Sequence, residues 1–428
     1  MQLATSTAAS PLRGRLRAAA WMLLASAAPA VARADSVPAT QFDATALLYG
    51  EQNRANVVEP TARVTRLFAD GQSLSAQFGF DVITGASPSG GMPSGVTPTG
   101  PVQTTTTPSG QVKTVQPPSP GEIPLSKFND TRGVLDVEWQ KPIGTLTSTL
   151  GGHFSREKDY QSLGASAKAS VDVMNRLTTL TAGYGFDYDD VLPVGGTRAG
   201  LSDGSIVVGR SADLKRVMTG LVGVSRVLTR RWIVGVNATR TVERGYLTEP
   251  YKIVSLLDPV SGVNVGSLTE NRPSTRDRRD VLTSSVYHLT EDVVHVSYRY
   301  YWDDWGVRSH TMDVAYRHEL GDENYLEPHV RYYAQTQASF FRFGMINGAP
   351  LPDFATSDYR LGPLRTATVG ATYGFHLPSY PGEWSVRAEY LAQFGNGHPH
   401  DAPGIQRTFD LFPTLSIGSL VIAYSVEF

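Results

Sequence analysis

The sequence predicts an all-β transmembrane barrel, in which about sixteen antiparallel strands form an up-and-down sheet closed on itself. Three observations lead to this fold class. The chain begins with a segment typical of secretory signals, and it continues as amphipathic runs whose polarity alternates with a period of two. The connections between these runs are alternately short and long. Because a closed sheet satisfies its own backbone hydrogen bonds, it can cross a bilayer without apolar helices.

Residues 1–34 are predicted to be a secretory signal peptide. Arg13, Arg15 and Arg17 precede the apolar segment 18–32, and residues 32–34 form an A-x-A cleavage site. Cleavage near Ala34 removes four arginines and changes the formal net charge from −2 to −6. An uncleaved membrane anchor is the alternative, and the short apolar run disfavours it. A mildly acidic exported protein is not expected to bind nucleic acid.

Composition excludes several classes of protein. No other apolar run approaches the roughly 20 residues of a membrane-spanning helix. The 428 residues contain no cysteine, which excludes disulfides, thiolate metal sites and cysteine nucleophiles. The sequence contains no G-x-S-x-G, H-E-x-x-H or Walker-type motif. We therefore expect a protein that is not an enzyme and has no cofactor.

Residues 35–428 are predicted to form one outer-membrane barrel, because alternating runs rich in Val, Tyr, Thr, Ala and Gly follow one another along this part of the chain. The predicted strands are 41–51, 55–68, 72–85, 131–141, 144–156, 161–174, 177–189, 213–228, 231–246, 280–289, 293–303, 308–319, 324–337, 363–377, 383–395 and 412–428.

The length of a connection depends on whether it follows an odd-numbered or an even-numbered strand. If the chain starts in the periplasm, every connection from an even to an odd strand is a periplasmic turn, and all of these are short. The long connections all fall in the opposite set, at 86–130, 190–212, 247–279, 338–362 and 396–411. Short periplasmic turns with long extracellular loops are typical of outer-membrane barrels. Within this set, 86–130 is rich in Pro, Gly, Ser and Thr, so we expect a flexible extracellular loop.

Side chains alternate along the strands. In 293–303, Val296 and Tyr298 share one face while Ser297 and Arg299 share the other. The apolar face carries aromatics near the strand ends, as a wall in contact with lipid does. On the polar face, charges either set the selectivity of a pore or pair and fill the interior. The residues predicted to face the lumen are His295, Arg299, Glu327, His329, Arg331, Arg387 and Glu389.

The chain ends with an amphipathic strand whose last residue is phenylalanine. This ending resembles the signal that the outer-membrane assembly machinery of Gram-negative bacteria recognises. The predicted signal residues are Leu420, Ile422, Tyr424, Val426 and Phe428.

Two groups of residues are candidate metal ligands. Asp187, Asp189 and Asp190 close the seventh predicted strand, and three carboxylates suit Ca²⁺. His398 and His400 precede Asp401 in the last long loop, and imidazoles suit a transition metal. Loop ends also need charged, solvated residues, and Pro399 turns the two imidazoles apart, so no metal site is the expectation.

The run Phe80–Gly90, FDVITGASPSG, resembles a bacterial family catalogued as domain of unknown function 3570. Leu48-Tyr49, Val58-Glu59-Pro60 and the stretch EKDYQSLG at 157–164 are similar to it as well. The resemblance covers nearly the whole mature chain and implies an outer-membrane barrel of Gram-negative bacteria, with no established activity.

Two functions fit these observations. The first is a porin-like channel, or the outer-membrane component of a transport or export system. The alternative is a plugged barrel that acts as a surface binding or scaffold protein through its extracellular loops. In both cases the expected partners are outer-membrane lipid, lipopolysaccharide and the assembly machinery, and the transported solute or protein partner is left open.

Overall fold

A computed structural model describes residues 38–96, 103–106, 112–115, 120–209, 213–321, 323–400 and 402–428, with the backbone alone at 103–106 and 112–115. The predicted signal peptide lies outside the described residues. No helix in the described part is both long and apolar enough to cross a membrane.

Sixteen antiparallel strands form one closed barrel, in which each strand pairs with its sequence neighbours and β1 pairs with β16. The strands are β1 Ala39–Glu51, β2 Asn56–Leu67, β3 Ser73–Pro88, β4 Leu125–Ile143, β5 Leu146–Arg156, β6 Tyr160–Val173, β7 Thr178–Val191, β8 Asp213–Thr229, β9 Trp232–Gly245, β10 Thr275–His288, β11 Val293–Asp303, β12 Arg308–Glu319, β13 Tyr325–Gln335, β14 Leu364–Leu377, β15 Tyr380–Phe394 and β16 Leu415–Glu427.

The barrel has a turn end and a loop end. Connections at the turn end, where β1 starts and β16 finishes, have at most five residues. At the loop end, five connections have 20 residues or more: 89–124, 192–212, 246–274, 336–363 and 395–414. The predicted sorting of loops by parity is confirmed, and so are the strand count and the up-and-down order.

The wall has an apolar outside and a polar inside. On β8, Val222 is 60% exposed, whereas its neighbour Leu221 is 2% exposed. Exposed aromatic rings lie near the turn end of the outer face, where Trp232 and Tyr287 pack edge to face with ring centroids 6.3 Å apart. A wall with apolar side chains outside and a closed set of backbone hydrogen bonds is the arrangement that a bilayer requires.

The loop after β3 is shorter than the sequence predicts. β3 continues to Pro88 and β4 already begins at Leu125, because the two strands keep pairing beyond the expected 86–130 boundaries. Residues 89–96 are packed, and Met92 is 4% exposed. Gly90 has φ +90°, and a Cβ there would lie 2.4 Å from the carbonyl oxygen of Ile253, so only glycine allows this close approach.

The long loops fold together into a structured cap, which we define as residues 89–96, 246–274, 336–363 and 402–414. Its centre is a three-stranded sheet of Ile253–Leu257, Asn264–Thr269 and Met345–Ile346. Gln406 is fully buried, and its Nε2 donates to the carbonyl oxygens of Pro93 and Gly262, each at 2.9 Å. The loops therefore support one another instead of extending separately into solvent.

Candidate functional site

The inner wall carries many charges, and most of them form local ion pairs across neighbouring strands. Arg299 Nε lies 3.1 Å from Asp280 on β10, and Arg331 Nε lies 2.7 Å from Asp313 on β12. Further pairs on the wall join Arg132 with Asp81, Arg276 with Asp303, and Arg278 with Glu243. Since most of these charges are compensated within the wall, the interior offers a polar surface of alternating sign rather than one strongly charged field.

The predicted lumen residues on β13 and β15 meet in one cluster. His329 Nε2 is 3.4 Å from Glu389 Oε1, and Arg387 pairs with the same carboxylate. His329 is 6% exposed, whereas Val330 beside it is 57% exposed, which places the histidine on the inner face. Glu327 and His295 are half-buried on the inner faces of β13 and β11.

A cavity of about 90 Å³ lies against the inner wall of β2 to β7. Its floor is a row of small residues that lie opposite one another across three strands, with Gly151 opposite Ser166 and Ser166 opposite Gly185. Because these side chains project little, space is left inside the barrel. The larger polar and charged side chains around this space are Arg63, Gln77, Asp136, Glu138, His153, Lys168 and Asp187. Small uncharged floor residues were not among the sequence candidates, since single Gly and Ser residues in a strand carry no clear signal.

The three candidate calcium ligands of β7 do not come together. Asp189 is 2% exposed and accepts a 2.6 Å contact from Lys215 Nζ, with further hydrogen bonds from Tyr160 and Ser162. Asp187 lies on the same inner face as Asp189. Asp190, the next residue along β7, lies on the outer face opposite Leu214. Successive side chains of a strand point to opposite sides, so three carboxylates in this spacing cannot surround one cation.

His398 and His400 are both exposed in the last loop, and Asp401 lies outside the described residues. Within the described part of the chain, the group of at least three potential metal ligands is Asp130, Glu157 and Asp159, whose nearest ligand atoms all lie within 4.8 Å of one another. This group includes none of the five candidates from the sequence.

The cluster of Asp130, Glu157 and Asp159 forms where the β5–β6 turn meets β4. Burial is the main cause that raises the pKa of Glu157 to about 8; the Arg132 guanidinium opposes the rise, and the neighbouring carboxylates of Asp130 and Asp159 add to it. Burial also raises the pKa of Asp159, while the Tyr251 hydroxyl donates to its carboxylate at 2.5 Å. Near neutral pH a proton on Glu157 therefore reduces the repulsion among the three groups.

The cap contains a balanced network of buried charges. Asp358 is 1% exposed, and it pairs with Arg272 at 2.8 Å and with Arg360 at 2.5 Å. Burial acts to raise the pKa of Asp358, but the Arg360 and Arg272 guanidiniums outweigh it and hold this pKa well below its ordinary value. Arg272 also lies 2.6 Å from Glu270, whose pKa is raised by burial. Such a network fixes how the β9–β10 and β13–β14 loops meet.

An apolar cluster lies on the inner wall near the loop end, where the first and last strands of the barrel meet. Its members are the buried inward side chains of the strands where the barrel closes, Tyr49, Val57, Ile83, Leu391, Leu415 and Ile417. The polar lining of the interior is thus interrupted on β1–β3, β15 and β16.

Several solved outer-membrane barrels are similar to this chain. The outer membrane protein opdK from Pseudomonas aeruginosa is 9% identical over 92% of this chain and 99% of its own, with a TM-score of 0.39. CdiB from Acinetobacter baumannii is 7% identical over 90% of this chain and 60% of its own, with a TM-score of 0.48. A loop L8 deletion mutant of OmpT of Vibrio cholerae is 9% identical over 92% and 100%, with a TM-score of 0.41.

No curated protein matches the sequence. A family model does match it, over residues 13–426, and this span includes the Phe80–Gly90 run and every barrel strand except the last residue of β16. The resemblance inferred from that run is therefore confirmed, and the chain belongs to the family described as protein of unknown function (DUF3570).

Proposed function

We propose that the protein is an outer-membrane barrel that lets small polar solutes pass through its interior, with the cap at the extracellular end as the entrance. The apolar outer wall and the sorting of loops by parity support this location. The signal peptide predicted at residues 1–34 adds to it, since barrels of this type are exported before assembly. In this orientation the turn end faces the periplasm.

The observation that carries the transport proposal is the polar cavity above Gly151, Ser166 and Gly185. Interior positions of a barrel are either filled by side chains or left open, and here the chain places its smallest residues side by side across three strands. The charges around the cavity include both signs, and ion pairs compensate much of the rest of the wall. The lining therefore favours polar solutes without selecting strongly for one sign of charge. No catalytic function is part of this proposal.

Conductance of the purified protein in planar lipid bilayers tests the proposal. Ser166→Trp places a large side chain in the cavity, and we expect it to lower the single-channel conductance. Ala167→Trp, one position along β6 on the exposed outer face, is the matched control and should leave the conductance unchanged. Absence of conductance in the unmodified protein contradicts the channel. Equal conductance in both variants would show that solutes take another route.

A surface-binding role is the second candidate, and the folded cap favours it. The buried ion pairs of Arg272 with Glu270 and Asp358 hold the loops of the cap together, so that the cap offers a partner a fixed surface. Deleting residues 97–119 leaves the packed segment 89–96 in place and tests this role. Unchanged crosslinking to surface partners on intact cells, together with measurable conductance of the unmodified barrel, would contradict a binding role of the deleted segment.

A further inference from the structure

Six arginines form an exposed basic patch on the outer face of the barrel, near the loop end of β8 to β14. Each alternates along its strand with inward-facing residues, as Arg216 does with Lys215 and Val217, both of which are buried. We call this group the outer arginine patch, and its members are Arg216, Arg240, Arg244, Arg279, Arg308 and Arg365.

The strand register places like charges of the patch directly opposite each other. Arg216 on β8 faces Arg244 on β9, and Arg240 on β9 faces Arg279 on β10. Like charges in directly opposite positions destabilise a sheet. Asp277 relieves the second pair, because its carboxylate accepts from Arg240 at 2.9 Å and from Arg279 at 2.7 Å.

No carboxylate in the described part of the chain compensates the first pair, Arg216 and Arg244, in this way. Among the described residues, no side chain forms an ion pair or hydrogen bond with the guanidinium of Arg216 or Arg244. The same is true of Arg308 and Arg365. Four exposed guanidiniums thus remain available on one face of the wall, where a ligand from outside the chain can supply the missing negative charge.

The height of the patch indicates what that ligand is. On β9, Trp232 marks the lower aromatic level, and Arg240 and Arg244 follow eight and twelve residues later. At about 3.4 Å per residue and a strand tilt of about 45°, they lie roughly 19 and 29 Å above Trp232. The apolar band of an outer-membrane barrel is about 25 Å tall, so the patch straddles its upper edge. Lipid phosphate groups lie at that level.

We propose that the outer arginine patch binds the phosphate groups of lipopolysaccharide in the outer leaflet, with Arg216 and Arg244 forming a clamp around one phosphate. This inference rests on the proposed outer-membrane location and orientation. Arginine suits the role because its planar guanidinium binds a phosphate through two parallel hydrogen bonds. A phosphate between Arg216 and Arg244 also removes the repulsion that their register creates.

Lipid binding to the purified protein, measured by native mass spectrometry, tests the inference. The double variant Arg216→Gln, Arg244→Gln should bind bisphosphorylated lipid A about tenfold more weakly, which corresponds to about 1.4 kcal/mol. Arg226→Gln is the matched control, since Arg226 is exposed on the outer face of the same strand near the turn end. Dephosphorylated lipid A should bind to the unmodified protein as weakly as the bisphosphorylated form binds to the double variant.

Two results would overturn the inference. One is equal lipid A binding by the double variant and by Arg226→Gln. The other is equal affinity of the unmodified patch for phosphatidylglycerol, which would make it a general surface for anionic lipid. Fractionation of cell membranes distinguishes a failure of lipid A binding from a failure of the proposed outer-membrane location. A protein found in the outer-membrane fraction that does not bind lipid A contradicts only the clamp, whereas absence from that fraction contradicts the location.

Discussion

A charge placed on the outer wall should be far more costly than the same charge placed one residue further along the strand. Val236 and Asn237 are consecutive on β9, and Val236 is 42% exposed opposite Val224 and Thr283 on the outer face. Asn237 lies inside, opposite Gly223, where the small neighbour leaves room for a longer side chain. We compare Val236→Arg with Asn237→Arg.

The height of Val236 on the wall gives the expected free-energy cost of Val236→Arg. Val236 is four residues above Trp232, so it lies roughly 10 Å above the lower aromatic level, near the middle of an apolar band about 25 Å tall. Arginine at the midplane of such a wall costs about 2–4 kcal/mol. The unfolding equilibrium should therefore shift by roughly 30- to 700-fold toward the unfolded state in Val236→Arg. Asn237→Arg faces the polar interior, and we expect a cost below about 1 kcal/mol.

Reversible urea unfolding in phospholipid vesicles, followed by tryptophan fluorescence, measures both free energies of unfolding. The refuting result is clear, because an equal cost at the two positions, or a larger one at Asn237, cannot arise from this register. In that case the alternation of lipid-facing and interior residues on β9 would be wrong.

Three further predictions follow from the ion pairs, the turn cluster and the last strand. Lys215→Met should lower the free energy of unfolding by about 3–5 kcal/mol because it leaves the buried Asp189 unpaired, and adding Asp189→Asn should restore part of it in the same urea titration. The pKa of Glu157 is raised from 4.5 to about 8, so its contribution to stability is complete below pH 4.5 and is lost as the pH rises to 8. Urea titrations at pH 5 and pH 9 should show this loss in the unmodified protein and a smaller one in Glu157→Gln, and equal losses would contradict the assignment. Phe428→Ala should reduce the amount of folded barrel in the outer-membrane fraction of cells, while the variant refolded in detergent should unfold at nearly the same urea concentration as the unmodified protein.

The strands and their order were predictable from the sequence because both signals are local. Alternation of polar and apolar residues follows from the geometry of a single strand, and the length of a connection is counted directly along the chain. The largest differences between predicted and observed strand bounds occur at the loop ends of β4 and β10. These strands begin at Leu125 and Thr275, whereas the sequence predicts starts at 131 and 280. Pairing with a neighbouring strand extends both beyond the region where their own polarity alternates.

The pairing of charges was not predictable, because it depends on register between strands that are far apart in the sequence. The sequence assigns Arg299 and Arg331 to the interior, but only the register shows Asp280 and Asp313 beside them. The same limit applies to the cap, where Asp358 meets Arg272 across 86 residues. Such contacts require two loops to fold against each other, and loop composition carries no signal for that.

By itself, the sequence determined that this chain closes a sheet of about sixteen strands with an apolar outside, since local alternation and loop length specify the strands, their order and their two faces. Only the tertiary structure decided where the interior stays open, which charges compensate one another and which remain available on the outer wall. Gly151, Ser166 and Gly185 become a cavity floor, and Arg216 meets Arg244, only when the strands take their register. The physical reason is that backbone hydrogen bonds between strands align residues that are distant in the chain, and this alignment creates contacts that no single strand encodes.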